Sequence, residues 1–373
     1  MSSEKLSLAV AGTGAMAAYH VSRFRGFPGV RVVACYDRRT ERARQFAEEH
    51  GIPAAYDSMD ELLDNESPGA VAVAVADAEH FDVARAVISA GVGLFIEKPL
   101  SATLAEAEEL GQLRSQARGS AAAAQAHSAL VAPSVCNFSK LNYPAVFAAV
   151  HLLRYGVLGR IETLRLSYLQ SWIATTVWGE WWRNPRWLWR ISSSHGGGGA
   201  LRDLGSHIFY LARLILGEGA IDRATTDIRG GREKAAGSGF SCDLNDSFEC
   251  ELSYPGGVRA VLDGGYANPG HTNNIVLSAE CERGTVYVDL EKSKDTVFVS
   301  SSGEGAGAPE RTRRYECAKV FSTYDEFVRA MRGDTSLPHW IGAPSLDDGV
   351  AVQQMINTAM VRAGAENDGR GRR

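Results

Sequence analysis

Short apolar runs alternate with amphipathic stretches through the first third of the chain. We predict strands over 6–11, 31–36, 70–76 and 92–96. The stretches between them carry apolar residues at the three- and four-residue spacing of a helix. They predict helices over 16–24, 41–50, 81–90 and 104–118, followed by a further strand over 121–126. Strands that alternate with helices are typical of βαβ units and a mostly parallel sheet.

The rest of the chain carries more strands in direct succession. Helices are predicted over 144–155 and 201–216, with a strand over 161–169 between them. Further strands are predicted over 247–253, 258–264, 275–280, 285–290 and 296–300. The Gly-, Ala- and Ser-rich segment 301–309 is interpreted as an exposed hairpin loop, and two last helices are predicted over 323–332 and 347–361. Consecutive strands favour an antiparallel or mixed sheet, so this part is expected to be α+β.

The composition is that of an ordinary globular protein with room for two domains. The chain has 373 residues, of which 45% are hydrophobic and 22% are charged, and this length supports two cores of conventional size. The formal net charge is -5, and acids and bases are spread along the chain. This distribution argues against nucleic acid or an anionic membrane as a partner.

Cysteine usage and the first residues indicate a cytoplasmic protein. The six cysteines are scattered and form no Cys-x-x-Cys pair, so they are interpreted as reduced thiols. The chain enters its first apolar run without the basic and apolar regions of a signal peptide. No apolar stretch approaches the ~20 residues that cross a bilayer. We therefore expect a soluble, cytoplasmic protein.

A glycine-rich turn follows the first predicted strand. The segment Gly12-Thr13-Gly14-Ala15-Met16-Ala17 matches the pattern Gly-x-Gly-x-x-Gly/Ala. At a strand-to-helix junction this pattern indicates a dinucleotide site, because Gly12 permits the tight turn and Gly14 lets the backbone approach a pyrophosphate. The phosphates would lie at the positive N-terminus of the helix. A plain glycine-rich turn is the alternative.

An acidic residue at the end of the second strand supports the dinucleotide interpretation. Asp37 lies about 20 residues beyond the glycine turn, where a carboxylate accepts hydrogen bonds from the adenosine ribose. Asp37 would repel a 2'-phosphate, whereas Arg38 and Arg39 could bind one. NAD is therefore the favoured cofactor and NADP the alternative. We expect an α/β protein with an N-terminal Rossmann domain over 1–127 and a C-terminal α+β domain over 128–373, the latter with a large mixed, mainly antiparallel sheet.

Two further groups of polar residues occupy positions suited to chemistry. Glu97 and Lys98 directly follow the strand over 92–96, and open α/β sheets bind their ligands at the carboxyl ends of strands. Asp203 and His207 lie four residues apart in a predicted helix, so they are expected to share one face. The glycines at 196–199 let the backbone before this helix come close to a bound molecule.

These motifs resemble the glucose-fructose oxidoreductase/inositol dehydrogenase (Gfo/Idh/MocA) family. The residues that carry the resemblance are the Gly12-x-Gly14-x-x-Ala17 turn, Asp37, Glu97-Lys98-Pro99 and Gly-Gly-Gly-Ala-Leu-x-Asp203-x-Gly205-x-His207. The resemblance spans nearly the whole chain. It implies an NAD(P)-dependent oxidoreductase whose N-terminal domain binds the cofactor. The C-terminal domain of the family supplies the substrate wall and usually the oligomer interface.

The resemblance also implies roles for the polar residues. Lys98 binds and polarises the reacting hydroxyl or carbonyl, His207 accepts the proton, and Asp203 grips or orients the substrate. Such a reaction needs a base that titrates near the working pH beside an electropositive group, and an unperturbed imidazole titrates near ~6.5. Glu97 is expected to fix Lys98 and the cofactor, and His80 to lie near the nicotinamide. The alternatives are a helix histidine satisfied by a neighbour for His207 and an ordinary helix-start residue for His80.

The chain departs from the family pattern in ways that weaken a substrate assignment by analogy. Tyr210 stands where an aspartate is common, and Val75-Ala76 stands where Thr-Pro is common. The segment Lys140-Leu141-Asn142-Tyr143-Pro144 replaces an Arg-Phe-Asn-Pro-like segment. The cofactor prediction does not depend on these positions.

Six of the seven tryptophans lie between positions 172 and 189. Aromatic faces stack on the C–H faces of sugar rings, so this segment suits a polyol, but a loop core or subunit contact is the favoured interpretation for most of the six. Arg183 and Asn184 are the predicted substrate contacts here. Hydride transfer needs no metal, and His195, Asp203 and His207 have no recognised ligand spacing, so no metal is expected.

The sequence thus predicts an NAD(P)-dependent dehydrogenase or reductase. Hydride would pass between the nicotinamide and a hydroxyl or keto carbon of a sugar, cyclitol or related polyol. One alternative retains NAD and cleaves glycosidic bonds through transient oxidation and elimination. Another is a non-catalytic dinucleotide-sensing protein. The exposed sheet expected in the C-terminal domain favours a homodimer or homotetramer.

Overall fold

The chain divides into two compact structural units. The structure is a computed structural model that describes residues 5–119, 132–301, 311–317, 320–334 and 343–370. One unit comprises Met1–Phe138 and Phe321–Gln353, and the other comprises Ser139–Val320 and Gln354–Arg373. The strand predicted over 121–126 lies outside the described residues, as does the loop predicted over 301–309 beyond its first residue.

A six-stranded sheet forms the centre of the first unit. Its strands are β1 (Leu6–Ala11), β2 (Val30–Tyr36), β3 (Ala54–Tyr56), β4 (Ala70–Val73), β5 (Gly93–Ile96) and β6 (Ser134–Cys136). They lie in the order β3-β2-β1-β4-β5-β6, and every neighbouring pair is parallel. The helices between them are α1 (Ala15–Arg25), α2 (Thr40–His50), α3 (Met59–Glu66), α4 (His80–Ser89) and α5 (Leu104–Gly119). The predicted parallel Rossmann sheet is therefore confirmed.

The order of the strands creates a topological switch point between β1 and β4. The chain moves outward on one side from β1 to β3 and on the other side from β4 to β6. In parallel sheets of this kind, ligands bind outside the carboxyl ends of the strands at the point of reversal. Gly12 follows β1, Asp37 follows β2 and Glu97 follows β5, so these residues all lie at the carboxyl edge of the sheet.

An aromatic core explains why residues from the end of the chain group with the first unit. Helix α10 (Thr323–Met331), one of the helices at the end of the chain, begins at a capping box formed by Ser322 and Asp325. Its Phe327 ring lies 5.4 Å from Phe95 on β5 and 6.1 Å from Phe24 on α1, measured between ring centroids. All three rings are completely buried. Helix α10 groups with the first unit because it buries its apolar face against β5 and α1, and the division expected after residue 127 stays a prediction.

An eight-stranded sheet forms the second unit. Its strands are β7 (Ile161–Leu169), β8 (Ala220–Asp227), β9 (Ser247–Ser253), β10 (Arg259–Gly265), β11 (Asn274–Cys281), β12 (Gly284–Asp289), β13 (Thr296–Ser301) and β14 (Arg311–Glu316). They lie in the order β14-β13-β12-β11-β7-β10-β9-β8. Among these described strands, β7 and β10 pair in parallel and the other neighbours are antiparallel. This confirms the predicted mixed, mainly antiparallel sheet.

The helices of the second unit precede or separate the strands. They are α6 (Pro144–Arg154), α7 (Pro185–Leu188), α8 (Gly199–Asp203) and α9 (Gly205–Leu216). The last helix of the chain, α11 (Leu346–Arg370), begins among residues of the first unit and is longer than predicted. Within the described ranges, no helix combines the length and the apolar character that crossing a bilayer requires.

Candidate functional site

The turn after β1 can accept only glycine at its first position. Gly12 has φ +104°, and a Cβ placed there would collide with the carbonyl oxygen of Ala74. Its backbone N–H donates to the Tyr36 carbonyl across 2.7 Å, which ties the turn to the end of β2. A side chain at Gly12 would therefore meet both backbone strain and a steric clash.

The second glycine leaves open space at the start of α1. Gly14 is the N-cap of α1 and supplies no side-chain cap. A Cβ at Gly14 would have no heavy atom within 4 Å, and the following residues Ala15 and Met16 are exposed. The first N–H groups of a helix lack intrahelical partners and carry partial positive charge. This end of α1 therefore has the space that a pyrophosphate would need, and its role as the phosphate site stays a prediction.

Asp37 presents a fixed carboxylate next to this turn. The Thr13 hydroxyl donates to Oδ2, and the Arg39 backbone N–H donates to Oδ1 across 3.0 Å. Burial raises the pKa of Asp37, but the hydrogen bonds from Thr13 and Arg39 outweigh it and hold the pKa below its ordinary value. The carboxylate is thus ionised and oriented where a ribose would need an acceptor. Thr13, Gly14 and Asp37 together fit an adenosine diphosphate half of NAD.

Arg38 forms an ion pair on the surface, and its predicted role toward the cofactor stays a prediction. Its Nε lies 3.3 Å from the Glu79 carboxylate, and its side chain is two-thirds exposed. A surface ion pair of this kind contributes little to stability. Arg39 and Arg42 instead lie beside Asp37, at 3.3 Å and 3.8 Å from its oxygens. Arg38, Arg39 and Arg42 thus each lie within ion-pair distance of a carboxylate.

The Glu97-Lys98-Pro99 segment leaves β5 with a cis Lys98–Pro99 bond. His80, at the start of α4, is buried, and its Nδ1 lies 2.8 Å from the Pro99 carbonyl oxygen. Since a carbonyl only accepts, Nδ1 carries the proton and Nε2 is left as an acceptor. His80 therefore fastens the segment that presents Lys98, and its predicted place near the nicotinamide stays a prediction.

Glu97 lies in a network that sequence reasoning missed. His20 Nε2 is 3.4 Å from Glu97 Oε1, and the Asn137 amide donates to the same oxygen across 2.7 Å. Burial would raise the pKa of Glu97, but its contacts with His20, the hydrogen bond from Asn137 and the nearby Lys98 charge hold the pKa below its ordinary value. The sequence contained one signal for this network. His20 is a polar residue on the face of α1 that is otherwise formed by Ala17, Val21 and Phe24.

Asp203 and His207, the substrate residues predicted in the second unit, lie on two helices rather than on the single predicted one. The prediction of a single helix over 201–216 is wrong, because α8 ends at Asp203 and α9 begins at Gly205. The His207 N–H donates to Leu204 across 3.2 Å, a bond over three residues that tightens the turn. Asp203 and His207 thus stand on either side of a break, with His207 buried near the start of α9.

Asp203 is fixed by two residues that the sequence did not single out. The Tyr266 hydroxyl donates to Asp203 Oδ2 across 2.9 Å, and Arg190 Nε lies 3.7 Å from the same oxygen. The Tyr266 ring packs 4.8 Å from Trp172, measured between centroids. Burial and the negative charge of Asp203 raise the pKa of Tyr266 well above its usual range. Tyr266 therefore stays a hydrogen-bond donor to an oriented carboxylate.

His207 lies beside a buried tyrosine, whose ring also contacts a buried lysine. The centroids of the His207 and Tyr168 rings are 5.9 Å apart. The Lys140 ammonium lies over the Tyr168 ring, 4.8 Å from its centroid, and the Tyr168 hydroxyl donates to Asn273 across 2.8 Å. The Lys140 segment, noted above as a departure from the family pattern, is therefore part of the surroundings of His207.

The tryptophan-rich segment is largely a packed core of its own. Trp172 and Trp181 are completely buried, and Trp178 stacks on Trp187 with centroids 4.9 Å apart. The Arg190 guanidinium lies 4.9 Å above the Trp187 ring. The loop-core interpretation of these tryptophans agrees with this packing, which also holds the arginine that contacts Asp203.

The two substrate contacts predicted in that segment have partners within it. The Arg183 guanidinium donates to Glu180 across 3.1 Å, and both side chains are exposed. The Asn184 side chain caps α7 by accepting from the Arg186 N–H across 3.0 Å. Their role toward a substrate stays a prediction, and these contacts give each a local structural task. In the part of the chain that the structure describes, no group of three His, Cys, Asp or Glu side chains is placed to hold a metal ion.

Two family models match this chain. Residues 6–127 match the Gfo/Idh/MocA model, described as an oxidoreductase family with an NAD-binding Rossmann fold. Residues 147–287 match the C-terminal domain model of the same family. The NAD-binding fold expected from the glycine turn and Asp37 is therefore confirmed.

Several curated proteins are similar at low identity. A levoglucosan dehydrogenase from Pseudarthrobacter phenanthrenivorans is 23% identical over 368 residues, covering 87% of this chain and 85% of that protein. A D-apiose dehydrogenase from Paraburkholderia graminis is 25% identical, covering 70% of this chain and 60% of that protein. An uncharacterised oxidoreductase from Synechocystis is 28% identical over 58% of this chain, and the chain spans about half of its length, 52%.

Solved structures share the fold along the whole chain. A levoglucosan dehydrogenase in complex with NADH and L-sorbose has a TM-score of 0.80 and 20% sequence identity, and 97% of each chain is covered. At this identity the likeness shows the fold alone.

Proposed function

Since the chain belongs to the Gfo/Idh/MocA family of oxidoreductases, we propose that it is an NAD-dependent dehydrogenase of a sugar, cyclitol or related polyol. The relatives named for levoglucosan and D-apiose support this substrate class. Asp37 supports NAD over NADP, because its carboxylate is ionised and already balanced by Arg39 and Arg42.

The fixed carboxylate of Asp203 carries the substrate part of the proposal. A carboxylate accepts hydrogen bonds and donates none when ionised, which suits the hydroxyl groups of a polyol. Tyr266 and Arg190 hold Asp203 in one orientation through Oδ2. A preoriented acceptor loses less entropy when it binds a substrate than a mobile one does.

The proposed reaction removes a hydride from carbon and a proton from oxygen. Lys98 polarises the reacting oxygen and stabilises its developing negative charge. His207 takes the proton from that oxygen, and Asp203 orients the substrate through a neighbouring hydroxyl. The bound nicotinamide supplies the hydride acceptor in oxidation and the hydride donor in reduction. Glu97 and His80 hold the segment that presents Lys98.

A substrate panel tests this proposal. The purified protein is assayed with sugars, inositols and linear polyols, with NAD⁺ and NADP⁺ in parallel. We expect NADH formation with at least one of them, and faster turnover with NAD⁺ than with NADP⁺. Tight NAD binding with no turnover on any sugar or cyclitol would contradict the proposal. So would release of the aglycone from glycosides without net NADH.

Substitution of Asp203 tests its proposed role, and substitution of another acidic residue of the same unit is the control. Asp203→Asn keeps the shape of the side chain but removes its charge, and we expect kcat/KM to fall roughly 10²-fold because a charged hydrogen bond is worth about 1.5–3 kcal/mol. Asp222 on β8 is exposed and accepts from Ser253 across 2.9 Å. Asp222→Asn should leave kcat/KM unchanged.

Cytoplasmic location and assembly as a homodimer or homotetramer stay predictions.

A further inference from the structure

A chain of buried polar side chains surrounds the Glu97 carboxylate in the first unit. The Tyr324 hydroxyl lies 2.8 Å from His20 Nδ1, and His20 Nε2 faces Glu97. On the other side, the Thr323 hydroxyl donates to the Asn137 Oδ1 across 2.8 Å, while the Asn137 amide donates to Glu97. His20 and Asn137 are completely buried. One carboxylate is thus held by side chains from α1, β6 and the start of α10.

The hydrogen-bond directions in this network follow from the carboxylate. An ionised carboxylate only accepts, so His20 Nε2 carries the proton that faces Glu97. Nδ1, on the other side of the ring, pairs with the Tyr324 hydroxyl. The Lys98 backbone N–H donates to Glu97 Oε2 across 3.3 Å. Every donor around the carboxylate therefore favours its charged form.

Keeping a charge on a side chain that is only 12% exposed is costly. A carboxylate that leaves water loses its hydration, and hydrogen-bonded partners restore only part of the loss. Ionised groups that are retained in such surroundings concentrate at functional sites.

The topology places this charge on one particular side of the cofactor. Asp37, at the end of β2, marks the adenosine side of the switch point, and the Gly12 turn at β1 marks the pyrophosphate. The two halves of a dinucleotide extend to opposite sides of that point. The nicotinamide half therefore belongs on the side of β4, β5 and β6, and Glu97 and Asn137 follow β5 and β6.

The two redox states of the cofactor differ in charge at that end. The oxidised nicotinamide ring is a cation, and the addition of one hydride, which carries two electrons, makes it neutral. A fixed negative charge close to the ring stabilises the cation and leaves the neutral form almost unaffected. Water screens this attraction poorly where the charge is buried.

We propose that the Glu97 carboxylate sets the ratio of NAD⁺ to NADH affinity, and that His20 and Asn137 are positioning residues that hold the carboxylate for this task. The inference rests on the NAD site of the proposed function but not on the identity of the substrate. It predicts a site that binds the oxidised cofactor more tightly relative to the reduced one, which lowers the reduction potential of the bound couple.

Equilibrium binding tests the proposal without any substrate. The dissociation constants of NAD⁺ and NADH are measured by calorimetry for the intact chain and for Glu97→Gln. We expect the Kd of NAD⁺ to rise about tenfold, the effect of one charge within ~10 Å at the effective dielectric of a protein. The Kd of NADH should change by less than about twofold. A tenfold change in this ratio corresponds to ~30 mV in the potential of the bound couple.

A pair of substitutions at His20 separates charge from packing. His20→Leu removes the donor to Glu97, so burial then favours the neutral acid, and the Kd ratio should shift in the same direction as in Glu97→Gln. His20→Gln keeps an N–H donor and should restore most of the wild-type ratio. Glu66→Gln is the matched control, because Glu66 accepts from Tyr56 across 2.7 Å on the β3 side of the same sheet. It should leave both dissociation constants unchanged.

Three results would overturn the inference. The first is a Glu97→Gln protein that has the wild-type melting temperature and the wild-type ratio of NAD⁺ to NADH dissociation constants. The second is an equal loss of affinity for NAD⁺ and NADH, which would show that Glu97 acts on the cofactor regardless of the charge of the nicotinamide ring. If Glu97→Gln does not fold, the two His20 variants provide the test. The third contradicting result is then the same ratio of NAD⁺ to NADH dissociation constants in His20→Leu and His20→Gln. A failure of the substrate panel would leave these binding ratios unaffected, so the two proposals fail separately.

Discussion

The hydroxyl of Tyr266 donates to the Asp203 carboxylate across 2.9 Å, although 63 positions separate the two residues in the chain. Tyr266 directly follows β10, and Asp203 ends α8. The hydrogen bond therefore ties the orientation of a candidate substrate ligand to the rigid sheet of the second unit. Sites supported by such contacts keep their geometry better than sites on loops alone.

Removal of this hydroxyl should weaken substrate recognition but not cofactor binding. We expect Tyr266→Phe to lower kcat/KM about tenfold, because a hydrogen bond to a charged group contributes about 1.5–3 kcal/mol. The Kd of NAD⁺ should be unchanged. Tyr287→Phe is the matched control, since Tyr287 donates to Asp289 across 3.1 Å on β12. Equal losses in both variants would show that Tyr266 acts only through folding.

The two glycines of the turn should respond differently to the same substitution. Gly12→Ala meets the Ala74 carbonyl in a left-handed conformation, so we expect a loss of unfolding free energy of about 1–3 kcal/mol or more. Gly14→Ala meets nothing within 4 Å, so its unfolding free energy should be within about 0.5 kcal/mol of the wild type. NAD⁺ affinity should nevertheless fall at least tenfold, because the new methyl group stands where a pyrophosphate approaches.

Denaturant unfolding and calorimetry provide the two measurements for these glycines. A stable Gly14→Ala protein with full NAD⁺ affinity would exclude this turn as the phosphate site.

Asp37 should decide between the two forms of the cofactor. Asp37→Ser removes the acceptor for the ribose and leaves Arg39 and Arg42 without their carboxylate. We expect NAD⁺ affinity to fall about tenfold and NADP⁺ affinity to rise, because the released guanidinium groups can pair with a 2'-phosphate. Asp60→Ser, at an exposed position of α3, is the control and should change neither affinity.

The pH dependence of NAD⁺ binding follows from the same carboxylate. Its pKa is held below the ordinary 3.8 despite burial, because Thr13 and Arg39 donate to it. A group with a lowered pKa keeps its contribution above its ordinary pKa and loses it only as the pH falls through the lowered value. The contribution of Asp37 should therefore be constant from about pH 8 to about pH 5. In Thr13→Val the pKa should rise, so a decline in affinity should begin at a higher pH than in the wild type.

The sequence predicted the site residues that lie in local patterns. The Gly12 turn, Asp37 and the Glu97-Lys98 pair each stand at the end of a strand, so a strand prediction also predicts their place. The contacts of Tyr266, Arg190, His20 and Asn137 join segments that are far apart in the chain. No spacing rule links such residues, so only the folded chain brings them to notice.

Two of the missed strands, β8 and β14, have a physical reason in common. β8 and β14 are the two edges of the second sheet, and their sequences, AIDRATTD and RTRRYE, carry polar or charged residues at most positions. Charged edge strands protect a sheet from pairing with another chain, but they lack the apolar alternation from which strands are predicted. The break at Leu204 was missed because Leu204 is apolar like its neighbours and itself keeps helical dihedral angles, φ -83° and ψ -42°.

The most direct test of the central claim is the turnover of Lys98→Met on the best substrate from the panel. Methionine keeps most of the length of the side chain but has no ammonium, so the reacting oxygen loses its polarising group. We expect kcat to fall roughly 10²–10³-fold with the Kd of NAD⁺ nearly unchanged. Lys292→Met, at an exposed ion pair with Asp289, should keep full activity. A Lys98→Met protein that turns over substrate at the wild-type rate would contradict the account.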